Sequence, residues 1–111
     1  KEYLPQGMAA RDPRHPTTVL PNPGNEDFFT RGLGRFLDEG RKLARLKGHP
    51  NIVSVENDLE ANGTGYLVMQ YLTGMDLSDY RRSEGSRVSE DKVIPILMQV
   101  LDGLRAIHRE G

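Results

Sequence analysis

Between residues 26 and 46, apolar positions fall at Phe29, Leu33, Phe36, Leu37, Leu43 and Leu46. Steps of three and four predict an amphipathic helix. Asn25 stands before it as an N-cap, with Glu26 and Asp27 placed favourably for the helix dipole. Gly32, Gly34 and Gly40 weaken it by up to about 1 kcal/mol each relative to alanine, and Lys47-Gly48 before Pro50 stops it. Residues 52–60 and 65–72 read as two strands joined by Ala61-Asn62-Gly63-Thr64, where Asn-Gly supplies the positive backbone angles of a tight hairpin turn. A short helix is predicted over 76–82. A longer one follows, capped by Ser89, with Glu90 and Asp91 in its first turn. Its apolar positions Val93, Leu97, Val100, Leu104 and Ile107 step by 4, 3, 4 and 3, a narrow seam that Ile94, Ile96 and Leu101 widen. Arg105, His108 and Arg109 suit its carbonyl end, and Gly111 is a stop.

Upstream, residues 1–5 read as the end of a strand closed by Pro5. Residues 6–24 carry Pro13, Pro16, Pro21 and Pro23 with little periodicity. They predict a long loop, and loops beyond about 12–15 residues are usually functional or mobile. The order of strand end, loop, helix, hairpin, helix, helix gives an α+β class, with no internal repeat.

Composition narrows the classes further. At 111 residues the chain fits one domain or part of one. Its net charge of −1 gives no charge-driven preference for nucleic acid or a membrane surface. The absence of cysteine excludes disulfides and thiolate metal sites and fits a reducing compartment. No apolar run reaches the ~18–20 residues a membrane span needs, and no secretory signal opens the chain. The expectation is a soluble, cytoplasmic piece. His15, His49 and His108 are scattered, so no metal site is expected. Gly32-x-Gly34 has no strand before it and no third glycine at the required offset, so it is not a phosphate loop.

Four stretches then resemble one family. Glu39-x-x-x-Leu43-x-x-Leu46 followed by His49-Pro50-Asn51-Ile52-Val53 resembles the end of the protein kinase C helix and the turn into the family's fourth strand. Tyr66-Leu67-Val68-Met69-Gln70-Tyr71 followed by Gly74-Met75-Asp76-Leu77 resembles its fifth strand, hinge and the start of its D helix. Leu104-x-x-Ile107-His108-x-x-Gly111 resembles the end of its E helix. Lys1-Glu2-Tyr3 is similar to the third strand of bacterial serine/threonine kinases, with the family's invariant lysine at Lys1. The matches fall in family order and cover nearly the whole chain apart from the Pro-rich insertion. The fold implied is a partial kinase fold. Residues 1–72 would be part of the small lobe, with 6–24 as an insertion loop, and 73–111 the hinge exit and the start of the large lobe.

The resemblance assigns roles. Lys1 would neutralise phosphate charge, and Glu39 would fix its flexible stem. Met69 matches the gatekeeper at the back of the adenine pocket. Gln70 and Leu72 match hinge positions whose backbone carbonyl and amide face the adenine edge, and Asp76 matches an acidic position near the ribose. Asp76 reads equally as the N-cap of the short helix. Leu43 and Val55 match the apolar stack beside the C helix, or ordinary core. The cofactors implied are ATP and magnesium in the intact parent.

The Gly-rich loop, catalytic aspartate and Asp-Phe-Gly aspartate that phosphoryl transfer requires are not in this sequence. The resemblance therefore implies an ATP-dependent serine/threonine kinase parent acting on protein hydroxyls. The fragment itself is expected to be inactive and to hold no cofactor tightly. The alternative is a non-catalytic kinase-like regulatory or scaffolding module. Partners expected are a protein substrate, no nucleic acid and no membrane. The apolar seam of the last helix, too large for one small hairpin to cover, adds self-association through that helix. Lys1 and Glu39 are expected on facing elements.

Overall fold

The computed structural model describes residues 1–110. Its elements are β1 (Ala9–Arg11), β2 (Val19–Pro21), α1 (Glu26–Ala44), β3 (Val55–Ala61), β4 (Thr64–Met69), α2 (Leu77–Ser83) and α3 (Glu90–Glu110). β3 and β4 form an antiparallel hairpin that closes with Ala61 opposite Thr64. Its turn has Asn62 at φ 55° and Gly63 at φ 77°, the two positive angles of a type I′ turn.

Residues 1–3 add a short third strand along the free edge of β4. Glu2 bridges Tyr66 in antiparallel sense. The Leu67 N–H donates to the Lys1 carbonyl at 2.8 Å, and the Tyr3 N–H to the Gly65 carbonyl at 2.9 Å. The spatial order is therefore 1–3, β4, β3. Residues directly opposite in an antiparallel pair share a face, so Lys1 lies with Leu67, and Tyr3 with Gly65.

α1 packs on that face. Its buried positions are Phe29, Leu37 and Gly40. Gly40 is a notch: a Cβ there would strike the Leu67 side chain. On the strand side, a Cβ at Gly65 would stand 2.7 Å from Leu33 and 3.1 Å from Leu37. The interior glycine therefore does more than weaken the helix, since it lets helix and sheet approach closely. Asn25 begins the helix through its carbonyl, which accepts from the Phe29 N–H at 2.8 Å, while its side chain caps nothing.

The loop expected over 6–24 is corrected by the structure. It contains an antiparallel pair, β1 and β2, with Ala9 opposite Pro21 and Arg11 opposite Val19. The pair is held by tertiary contacts. Val19 (1% exposed), Ala9 and Phe29 form a buried cluster that Tyr3, Leu4 and Leu33 complete. The Val19 N–H donates to the Asn62 carbonyl at 2.8 Å, tying β2 to the β3–β4 turn. Arg11 Nη2 meets Glu2 Oε1 at 2.5 Å, and this guanidinium holds the Glu2 carboxyl below the usual carboxylate range.

α3 meets the rest of the molecule through the turn before β3. Asn51 Nδ2 donates to Asp102 Oδ2 at 2.8 Å, and His49 Nε2 lies 3.5 Å from the same oxygen. A Cβ at Gly103 would stand 2.8 Å from the Asn51 carbonyl, so glycine permits the contact. Val93, Ile94, Leu97, Val100, Leu101, Leu104 and Ile107 remain exposed. Among the described residues no helix is long and apolar enough to cross a membrane.

Candidate functional site

Of the residues singled out in the sequence, Lys1, Met69, Gln70, Leu72 and Asp76 lie beside β4 or on the segment that leaves it. Strand alternation places Gly65, Leu67 and Met69 on the α1 side, so the half-buried Met69 lies at the end of the row that meets the helix. Lys1, opposite Leu67, shares that side. Its Nζ stands 5.9 Å from the centroid of the Phe36 ring, within the range of a cation–π contact.

Glu39 does not pair with Lys1. Among the described residues no ion pair within 4.0 Å joins them. Glu39 is exposed on the flank of α1, where it lines a cleft of about 340 Å³ with Leu43, Leu46, Ile107 and Glu110. Phe36 and Glu39 are three residues apart, nearly one helical turn. Lys1 Nζ thus lies beside Phe36, three residues before Glu39 on α1.

Beyond β4 the backbone runs exposed. The Gln70 N–H donates to the Ser54 carbonyl at 2.9 Å, which ends the pairing of the hairpin. Among the described residues the Gln70 carbonyl and the Leu72 N–H have no main-chain partner. One acceptor and one donor, two residues apart on an exposed segment, suit the paired donor and acceptor edge of a purine. Asp76 is the N-cap of α2, its Oδ1 accepting from the Asp79 N–H at 2.8 Å, so the capping role weighed in the sequence is present. Leu43 is half-buried, while Val55 is 2% exposed and belongs to the core. Among the described residues no group of three or more His, Cys, Asp or Glu could hold a metal ion.

A family model described as the protein kinase domain matches residues 25–111. The chain belongs to the protein kinase domain family. It is 32% identical over 95 residues to a probable serine/threonine-protein kinase, pknA2, of Bifidobacterium longum, covering 86% of this chain and 12% of that protein. It is 36% identical over 91 residues to the tyrosine-protein kinase MasK of Myxococcus xanthus, covering 81% of this chain and 13% of that protein. A solved structure titled "PpkA-294 apo form" superposes with a TM-score of 0.81 at 27% identity, over 99% of this chain and 38% of its own. The chain thus spans about one eighth of the curated relatives it matches.

The elements of this partial kinase fold are the end of the third strand at 1–3, the C helix as α1, strands four and five as β3 and β4, the hinge, the D helix as α2 and the E helix as α3. Three contacts of the kinase chain escaped the sequence. Phe36 meets the lysine at a position that reads as ordinary core. Tyr3 packs at a tilt against two rings, with centroids 5.2 Å from Phe29 and 5.4 Å from Phe36. Asp102, on the polar side of an apolar seam, anchors the His49–Asn51 turn, a contact that nothing in the sequence pointed to.

Proposed function

We propose that the full-length protein transfers the γ-phosphate of ATP to serine or threonine hydroxyls of protein substrates, and that this chain forms one wall of the ATP site. The observation that carries the reading is that the Gln70 carbonyl and Leu72 N–H have no main-chain partner on the segment that follows β4, the strand whose neighbour carries Lys1. In this reading the Gln70 carbonyl accepts from the adenine amino group and the Leu72 amide donates to the adjacent ring nitrogen. Met69 closes the back of the pocket, and Asp76, beyond its capping bond, keeps an oxygen for the ribose. ATP supplies the phosphoryl group. Lys1 neutralises phosphate charge, and Glu39 orders the lysine where α1 brings the two together. Magnesium finds no ligands among these residues and would be held elsewhere in the protein.

Residues 1–72 form part of the small lobe in this reading, and 73–111 the hinge exit and the start of the large lobe. Serine or threonine as acceptor is supported by the name of the Bifidobacterium relative. A cytoplasmic location is supported by the lack of cysteine.

On its own the 111-residue chain would be inactive and hold ATP no more tightly than roughly millimolar, because the groups that meet most of the phosphate charge are missing from its sequence. Its exposed α3 seam would pair with a second copy. The test compares the full-length protein with this chain alone, using ATP and magnesium, followed by phosphoamino-acid analysis and sedimentation. Phosphoserine or phosphothreonine from the full-length protein, with a silent dimer of the short chain, is expected. Phosphotyrosine alone would contradict the acceptor. No phosphotransfer would leave a non-catalytic scaffold, and activity or a monomeric state of the short chain would contradict the reading of the part.

A further inference from the structure

The strand 1–3 and α1 touch at more than one place along their length. Tyr3 and Lys1 are two residues apart on one strand, so their side chains share a face and stand about 6.6 Å apart along it. Gly32 and Glu39 are seven residues apart on α1, so they share one stripe and stand about 10.5 Å apart along it. Tyr3 with Gly32 is therefore a first rung between strand and helical stripe, and a second, Lys1 with Glu39, is out of level by about 4 Å, which leaves Lys1 beside Phe36. Only the first rung is closed in this structure.

The closed rung is tight. A Cβ at Gly32 would run into the Tyr3 hydroxyl, with Cζ of the same ring 3.0 Å away. The ring cannot swing aside freely. It lies between Phe29 and Phe36, and it borders the buried cluster of Ala9, Val19 and Phe29 that the β1–β2 pair supplies. Nor does the helix backbone demand glycine here. Gly32 lies inside α1 and is not among the glycines of positive φ.

We infer that Tyr3, seated in the notch at Gly32 and backed by the β1–β2 hairpin, is the positioning residue that sets how closely α1 lies over the Lys1 strand, and so whether Glu39 can reach Lys1. The inference rests on the proposed roles of Lys1 and Glu39. Tyr3 contacts no nucleotide in this account. It acts through α1. The hairpin, outside the region matched by the family model, becomes the support of that setting.

The test is the substitution Gly32→Ala in the full-length kinase, alone and combined with Tyr3→Phe. Alanine is the better helix former, so a purely local role predicts an equally or more stable and fully active protein. The positioning role predicts a protein that still folds but melts at a lower temperature, with kcat reduced at least tenfold and the KM for ATP changed less than threefold. Tyr3→Phe removes the hydroxyl that the new methyl strikes and leaves only the 3.0 Å approach to Cζ, and the double variant should regain kcat to within about threefold of the unsubstituted enzyme. Unchanged kcat in Gly32→Ala, or a loss that Tyr3→Phe does not relieve, would overturn the inference. A crystal structure of the Gly32→Ala protein gives a readout independent of catalysis. α1 displaced from the strand supports the inference, and α1 unmoved with the Tyr3 ring turned out contradicts it. If the unsubstituted protein transfers no phosphate, the proposed function fails, while the displacement of α1 still decides the role of Tyr3.

Discussion

Lys1→Met in the full-length protein is expected to reduce phosphotransfer by on the order of 100- to 1,000-fold, the range for removing one positioned group that meets developing charge. The fold should persist. Lys1 is exposed, and its side chain ends against the Phe36 ring, a contact that a methionine stem and sulfur can retain. An exposed substitution of this kind usually changes stability by no more than about 0.5 kcal/mol. The loss should therefore appear in kcat with the denaturation midpoint unmoved. Near-normal turnover would remove Lys1 from the catalytic account. A loss of activity that tracks a loss of folded protein would reassign it to packing.

The largest effect on stability is expected from Leu67→Ala, about 2–5 kcal/mol. Leu67 is 5% exposed, and its side chain fills the notch at Gly40. Alanine there would leave a cavity that the helix cannot close, because Gly40 contributes no atoms of its own. The Leu67 backbone also pairs with Lys1 on the edge of β4. The variant should therefore loosen both α1 and the first strand, and phosphotransfer should fall with them. Urea denaturation of the full-length protein measures the loss through the transition that contains this region. A change below about 1 kcal/mol would mean that helix and sheet do not meet at Gly40 as described.

Much of the fold was legible because its signals are local. α1 declares itself by apolar steps of three and four, and the β3–β4 turn by Asn62-Gly63, whose positive angles few other pairs adopt readily. The β1–β2 pair gave no such signal. Its strands are three residues each, Ala9-Ala10-Arg11 has little strand preference, and Pro21 closes the other side. What holds it is Val19 against Phe29 and the Asn62 carbonyl, contacts made across the fold. Asn25 shows the converse, since the residue type and position suit a cap but the side chain makes no capping bond.

The candidate site was legible by likeness more than by chemistry. Nothing in the residue types of Gln70 and Leu72 marks them, because their backbone groups carry the proposed role. Their freedom from main-chain partners appears only once the hairpin is seen to end at Gln70 and Ser54. Lys1 and Glu39 were named as a pair from resemblance. The structure adds that Phe36 lies next to the lysine, a relation of helix rotation and height that spacing along the sequence does not contain.

The measurement that bears most directly on the account is a crystal structure of the full-length protein with a non-hydrolysable ATP analogue and magnesium. It should show the adenine amino group and its neighbouring ring nitrogen within about 3 Å of the Gln70 carbonyl and the Leu72 amide, with Lys1 Nζ at the phosphates and Glu39 within about 4 Å of it. An adenine bound away from the segment that follows β4, or phosphates held without Lys1, would contradict it.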